Sequence, residues 1–286
     1  MKLLIAKDSG YCFGVRDAVN LAYKTAEESG DVYMLGNIVH NENVVKDLKN
    51  VGAKVVHKLD DVPEGKPLLF RAHGTATDVW DKAKQKGMNI IDATCPLVKE
   101  IHDEVKSLEA EGRRIIIIGD HGHDEVIGIA SQVKDPKIVS SVEEAQNLRK
   151  MKKAGIVSQS TQTIENVQSI INIIMTKSFD LRFVNTICFP TKRNQTQLKS
   201  LSEITDVMII IGSLTSANSK RLHQLALERN KKSYQVTCGE ELQTIWFENA
   251  EIVGITAGAS TPDSTIKEVI QKIKSFSDIH EEEIYA

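Results

Sequence analysis

Apolar runs of strand length alternate with stretches of helical period along the chain. Leu3-Leu4-Ile5-Ala6 reads as a short strand, and after Gly10-Tyr11-Cys12-Phe13-Gly14 apolar residues recur at Val15, Ala18, Val19, Ala22 and Ala26, one face of a helix. Val32-Tyr33-Met34-Leu35 reads as the next strand, running through Gly36-Asn37-Ile38-Val39-His40-Asn41 into a helical segment. Pro67-Leu68-Leu69-Phe70 is a further strand and ends in Arg71-Ala72-His73-Gly74 before a helix containing Val79, Trp80 and Ala83.

A second round begins at Asp92-Ala93-Thr94-Cys95-Pro96. Leu97, Ile101, Val105 and Leu108 have helical spacing, Gly112 supplies a stop, and Pro96 suits a first helical position, so Cys95 is placed at a helix N-terminus. The run Ile115-Ile116-Ile117-Ile118 is that of a strand covered on both faces, and it ends in Gly119-Asp120-His121-Gly122-His123-Asp124-Glu125. Ser141-Val142-Glu143-Glu144 fits a capping box. Gly155-Ile156-Val157 ends in Ser158-Gln159-Ser160-Thr161 ahead of a helix through Ile164, Val167, Ile170, Ile171 and Ile174.

A third round follows Cys188, with a helix through Leu198, Leu201 and Ile204. Its strands are Val207–Ile211, leading into Gly212-Ser213-Leu214-Thr215-Ser216-Ala217-Asn218, and Ile252–Ile255, leading into Thr256-Ala257-Gly258-Ala259-Ser260-Thr261. Pro262 is expected at the first position of a last helix with Ile266, Val269, Ile270, Ile273 and Phe276 on its apolar face. The acidic end, Asp278 to Tyr285, is expected as a solvated tail or last turn.

One order is therefore written three times: a cysteine before a helix, then two apolar strands, each ending in polar or glycine residues before another helix. It predicts an α/β fold of three pseudo-symmetric units, each with a small parallel sheet, over residues 13–95, 96–187 and 188–286, the third joined by the N-terminal strand 1–12. A length of 286 residues also exceeds what one core usually organises. Open α/β sheets bind ligands beyond the carboxyl ends of their strands. If the three units face one axis, three thiols and six polar loops surround a single site.

Composition narrows the function classes. A net charge of −3 and 5% aromatic residues give no case for nucleic acid or an anionic membrane. No segment approaches membrane-spanning length and the N-terminal apolar run is too short for a signal peptide, so a cytoplasmic protein is expected, with cysteines as thiols or metal ligands. A helix N-terminus favours a thiolate, whether as nucleophile or as ligand. Three such thiolates could hold zinc, and they suit an iron–sulfur cluster; three ligands on a cubane of four irons leave one iron open. The C-x-x-C pair of zinc ribbons and thioredoxins is missing.

Taken together, Gly10-Tyr11-Cys12-Phe13-Gly14-Val15, Val39-His40-Asn41, Ala72-His73-Gly74, Asp92-Ala93-Thr94-Cys95-Pro96, His121-Gly122-His123-Asp124-Glu125-Val126, Gly212-Ser213 with Ser216 and Asn218, and Thr256-Ala257-Gly258-Ala259-Ser260 resemble the 4-hydroxy-3-methylbut-2-enyl diphosphate reductase family. The resemblance implies a trefoil of three lobes around a central [4Fe-4S] cluster on Cys12, Cys95 and Cys188, with an open apical iron. It implies reductive removal of an allylic hydroxyl as water, by two electrons and two protons, to give isopentenyl and dimethylallyl diphosphate in the last step of the non-mevalonate isoprenoid pathway. Ferredoxin or flavodoxin would supply the electrons.

Carried over by position, Glu125 is the proton source and His123 helps deliver the proton or bind the diphosphate. The hydroxyl relaying the proton is Ser160 or Thr161, since this chain has Gln159-Ser160-Thr161 where the family often has two threonines. His40, His73, Ser216, Asn218 and Ser260 would hold diphosphate oxygens. Ala217 replaces a serine of the family and leaves only its backbone N–H for that contact. Two other readings stand beside this one: a zinc hydrolase on His121, His123 and Glu125, and a non-catalytic phosphate-ligand binding protein with the same lobes. His57, His102, His223 and His280 are expected to be structural, and Cys238 an unligated thiol.

Overall fold

The structure, a computed structural model, describes residues 1–276 and 281–285. In order, its elements are β1 (Lys2–Ala6), α1 (Phe13–Ser29), β2 (Val32–Leu35), α2 (Glu42–Asn50), β3 (Ala53–Val56), β4 (Pro67–Phe70), α3 (Thr77–Gln85), β5 (Asn89–Asp92) and α4 (Pro96–Ala110). There follow β6 (Arg114–Ile118), α5 (Asp124–Ala130), β7 (Lys137–Val139), α6 (Val142–Gln146), β8 (Met151–Ser158), α7 (Ile164–Met175) and β9 (Ser178–Phe183). The last are α8 (Phe189–Ile204), β10 (Val207–Ile211), α9 (Ala217–Arg229), β11 (Ser233–Val236), β12 (Ile252–Ala257), α10 (Asp263–Lys274) and β13 (Glu281–Tyr285).

The class is α/β, with three small sheets ordered β3-β2-β4-β5, β7-β6-β8-β9 and β11-β10-β12-β1-β13. Every strand pairing in them is parallel. Two compact units carry these sheets. One comprises Met1–Val15, His40–Val44 and the chain from Phe189 onward, and contains the five-stranded sheet; the other comprises Arg16–Val39 and Val45–Cys188, and contains the two four-stranded sheets.

Side-chain alternation explains why the interior strands read as unbroken apolar runs. Ile116 and Ile118 pack with Val167, Ile170 and Ile174 of α7, whereas Ile115 and Ile117 pack with Ile101, Val105 and Leu108 of α4. In the five-stranded sheet Leu3, Ile5, Ile209 and Ile211 face α10, and Leu4, Met208 and Ile210 face Leu198, Leu201 and Leu222 of α8 and α9. Helices therefore cover both faces.

Three expectations are corrected. Each unit has more than two strands: β3, β5, β7, β9 and β11 are additional and all lie at sheet edges or beside them. The acidic end is no tail, since Glu281–Tyr285 form β13, paired in parallel with β1, while the reading of Asp278 and of His280 lies outside the described residues. Pro262 is the N-cap of α10 rather than its first residue, in an extended conformation at φ −64° and ψ 149°.

Candidate active site

The three rounds of the sequence coincide in their backbone hydrogen bonds at the carboxyl ends of the sheets. Gly36, Gly119 and Gly212 donate their N–H to Val56, Val139 and Val236. One step along, Gln159 donates to Ile118 and Gly258 to Ile211, while the first round departs from this register, Ala72 donating to Ile38. The cysteines close each set: Cys95 donates to Ala72 at 3.0 Å, Cys188 to Ser160 at 3.0 Å and Cys12 to Ala259 at 3.3 Å. Each cysteine is thus tied to the strand-end loop that carries His73, Ser160 or Ser260.

Glu125 lies in the first turn of α5 and is 2% exposed. Ser160 grips its carboxylate twice, the backbone N–H donating to Oε1 at 2.6 Å and the hydroxyl to Oε2 at 2.8 Å. A buried carboxylate requires such donors. Thr161 Oγ1 accepts from Gln159 Nε2 at 3.0 Å, and the Ser160 hydroxyl lies against Glu125. His123 caps α5: its Nδ1 accepts from the Glu125 N–H at 3.2 Å, which leaves Nε2 to carry the proton in the neutral ring. His73 meets His123 edge to face, with centroids 5.7 Å apart.

The loop of His73 is shaped by Gly74, which has φ +85° and sits against the His102 ring; a Cβ there would lie 3.1 Å from His102 Cε1. Burial pushes the His102 pKa down to about 4, so this structural histidine is neutral. A pair to which the sequence reading assigned no role joins the two loops. Arg71 Nη1 donates to Asp124 Oδ2 at 2.5 Å, bridging the residues before His73 and after His123. Gly36 makes room for it, because a Cβ there would lie 2.7 Å from Arg71 Nη1. Both residues stood inside quoted motifs, but nothing local in the sequence marks them as partners.

In the other unit, Ser216 caps α9, its Oγ accepting from the Ser219 N–H at 3.3 Å, and Ala217 is the helix's first residue. Asn218 is 5% exposed and its Nδ2 has no hydrogen-bond partner among the described residues. A buried donor left open in this way suits an anionic oxygen. Gly212 and Gly258 line the same place, since a Cβ on either would lie within 2.3 Å of Ser219 Oγ. Ser260 Oγ donates to the His40 carbonyl at 3.2 Å, and Asn41 Oδ1 accepts the N–H groups of Asn43 and Val44 at the start of α2. Glu42 takes the hydroxyls of Ser213 and Thr215; burial pushes its pKa up, but these hydrogen bonds hold the carboxyl below its ordinary range.

Cys12, Cys95, Cys188 and Cys238 are half-buried thiols rather than disulfide sulfurs. Cys95 is the N-cap of α4, and Cys12 and Cys188 immediately precede α1 and α8. The charge pattern fits an anionic ligand at these helices. First-turn acids stabilise a helix by about 0.3–1 kcal/mol, and α2, α3, α5, α6, α7 and α10 all have one. Helices α1, α4, α8 and α9 have none. Three equivalent thiols at acid-free helix N-termini match the donor chemistry of a cysteine-ligated cluster. The approach to Cys95 is clamped by Asp92, whose Oδ1 accepts from the Thr94 N–H and hydroxyl and whose Oδ2 meets Lys99 at 2.6 Å. Cys238 caps a 3-10 turn instead, and burial pushes its thiol pKa up.

The zinc-hydrolase reading loses its ligand set. His121 is exposed and turns to Glu144 at 2.9 Å, Glu125 is held by Ser160, and among the described residues these two and His123 do not group within metal-ligand reach.

Comparison with known proteins covers nearly the whole chain. Residues 3–274 match a family model described as LytB protein. The chain is 38% identical to the 4-hydroxy-3-methylbut-2-enyl diphosphate reductase of Geobacter sulfurreducens, over 97% of this chain and 99% of that protein. It is 39% identical to the reductase of the same name from Caldanaerobacter subterraneus subsp. tengcongensis, over 99% and 100%. Among solved structures, the E-1-hydroxy-2-methyl-but-2-enyl-4-diphosphate reductase from Plasmodium falciparum is similar with a TM-score of 0.94 and 29% identity, over 99% of this chain and 91% of that one. A second, (E)-4-hydroxy-3-methyl-but-2-enyl diphosphate reductase, described as the terminal enzyme of the non-mevalonate pathway, is similar with a TM-score of 0.71 and 37% identity, over 96% and 99%.

Proposed function

The chain belongs to the LytB family of 4-hydroxy-3-methylbut-2-enyl diphosphate reductases, which are oxidoreductases, and on that premise we propose that it reduces 4-hydroxy-3-methylbut-2-enyl diphosphate with two electrons and two protons. Its allylic oxygen leaves as water, and isopentenyl and dimethylallyl diphosphate are the products. The observation that carries this reading is the buried Glu125 carboxyl in the double grip of Ser160.

That grip suits proton delivery. With Glu125 protonated on Oε2, the carboxyl donates to Ser160 Oγ, and the Ser160 hydroxyl proton is released toward a ligand; the next proton retraces the same two atoms. His123, whose Nδ1 accepts from the backbone, would turn its Nε2–H to a phosphate or to the leaving oxygen. Asn218 Nδ2, the acid-free start of α9 with the Ala217 N–H, and the side chains of His40, His73, Ser216 and Ser260 would bind the diphosphate. Thr161 keeps a substrate-side role through its place beside Ser160.

Cys12, Cys95 and Cys188 would hold a [4Fe-4S] cluster, and the support is their common backbone setting and the chemistry of three thiolates. When bound, such a cluster supplies single electrons and one iron without a thiolate. Ferredoxin or flavodoxin is the proposed electron donor, the cytoplasm the proposed location, and 13–95, 96–187 and 188–286 the proposed lobes. No helix among the described residues is long and apolar enough to cross a membrane.

Anaerobic purification followed by turnover of the hydroxy-allylic diphosphate with a reduced dye tests the reading. The protein is expected to be brown, with iron and sulfide, and active. Glu125→Gln should retain the colour and lose about 10²–10⁴ in turnover, whereas Cys95→Ser should lose the colour itself. A colourless protein with stoichiometric zinc, diphosphate binding without turnover, or an active Glu125→Gln variant would each overturn a separate part of it.

A further inference from the structure

The residues that follow two of the three cysteines are stacked on one another at the surface. The rings of Phe13 and Phe189 have centroids 5.6 Å apart and planes 11° from parallel, yet they are 38% and 51% exposed. Exposed apolar area forgoes the stabilisation that burial brings, and two adjacent rings make a patch rather than a scattered residue. Phe13 opens α1 immediately after Cys12, and Phe189 opens α8 immediately after Cys188.

The charges beside the rings are as unusual for a helix start as the rings are for a surface. Lys192 and Arg193 lie three and four positions after Phe189, on its face of α8, and both are exposed. Cations there oppose the helix dipole, so helix stability does not account for them. The Arg193 guanidinium lies 6.0 Å from the Phe189 ring centroid and pairs with Asp8 at 2.6 Å. Lys7, next to Asp8, is exposed as well. On α1 the corresponding positions hold Arg16 and Asp17, which cancel. Asp8 is paired with Arg193, and the exposed Lys192 and Lys7, neighbours in the chain of Arg193 and Asp8, make the rim of the patch cationic.

We propose that the Phe13–Phe189 pair, with Lys7, Lys192 and Arg193 around it, is the docking surface for a small acidic protein that carries one electron at a time. The proposal rests on the reductase reading. An aromatic centre with a charged rim is the anatomy of a specific interface, and the cationic rim selects an anionic partner. A carrier seated on these rings is brought to the residues adjoining Cys12 and Cys188. Two dockings serve one turnover: each carrier is oxidised by one electron, and the two electrons with two protons release the allylic oxygen as water.

The test uses the holoenzyme with an acidic flavodoxin. Binding is measured by calorimetry at low and high salt, and turnover is driven either by the reduced flavodoxin or by a small reduced dye. K192E/R193E should weaken flavodoxin binding about tenfold or more and flatten its salt dependence, with a matching loss of flavodoxin-driven turnover. Dye-driven turnover and the visible cluster absorbance should not change. Phe189→Ser, which keeps the charges, should weaken binding without altering the salt slope; if it lowers the cluster content, the charge-reversal variant still decides. Unchanged flavodoxin affinity in the charge-reversal variant would overturn the proposal while dye-driven turnover upholds the reductase reading. Wild-type binding that K192E/R193E abolishes, in a protein that no reductant drives to turnover, would uphold the surface and overturn the reductase.

Discussion

At Glu125 the decisive feature is which neighbouring hydroxyl reaches the carboxyl. Ser160 and Thr161 are adjacent and chemically alike; the Ser160 hydroxyl bonds the carboxylate, and the Thr161 hydroxyl accepts from Gln159. Ser160→Ala deletes the hydroxyl and keeps the backbone N–H on Oε1. Turnover should therefore fall by about 10–10²-fold, less than the loss in Glu125→Gln, and the loss in Thr161→Val should be smaller than in Ser160→Ala; single-turnover rates with a reduced dye check both. Arg71 is a different case, since it touches Asp124 rather than Glu125. Arg71→Met leaves Asp124 without its cation in a partly buried setting and should cost about 1–3 kcal/mol in unfolding free energy, read as a shift in denaturant midpoint at unchanged slope.

At the scale of elements, the turn after β4 and the helix α4 share one titratable group. His102 of α4 lies under Gly74, and its pKa of about 4 stands below the ordinary 6.5 because burial disfavours the charged ring. The unfolded chain therefore binds a proton that the native state refuses between those two values. Stability is full above about pH 6.5 and declines as pH falls toward 4. His102→Gln should remove this part of the acid sensitivity, so the difference in midpoint between variant and wild type should change in the variant's favour from pH 7 to pH 5. Gly74→Ala should be costly in a separate way, since φ +85° disfavours any side chain and the new methyl would press on the His102 ring.

For the whole molecule, the seven strands read directly from apolar runs, β1, β2, β4, β6, β8, β10 and β12, are the interior strands of the three sheets. The edge strands escaped that reading. Lys54 in β3, Asp180 and Arg182 in β9 and the three glutamates of β13 interrupt any apolar pattern, as edge strands commonly require. Removing β13 should therefore bare a long apolar strand edge at β1. Deletion from residue 277 onward is expected to lower stability and to promote association, measurable by light scattering. The sequence by itself determined the α/β class, the interior strands and the three cysteines ahead of helices, because burial on both strand faces and helical period are written in neighbouring residues. Only the tertiary structure decided the edge strands, the hydrogen bond of the Ser160 hydroxyl to Glu125, the Arg71–Asp124 bridge and the stacking of Phe13 on Phe189. Each of those depends on backbone bonds or side-chain contacts between residues far apart in the chain, and no local period encodes them.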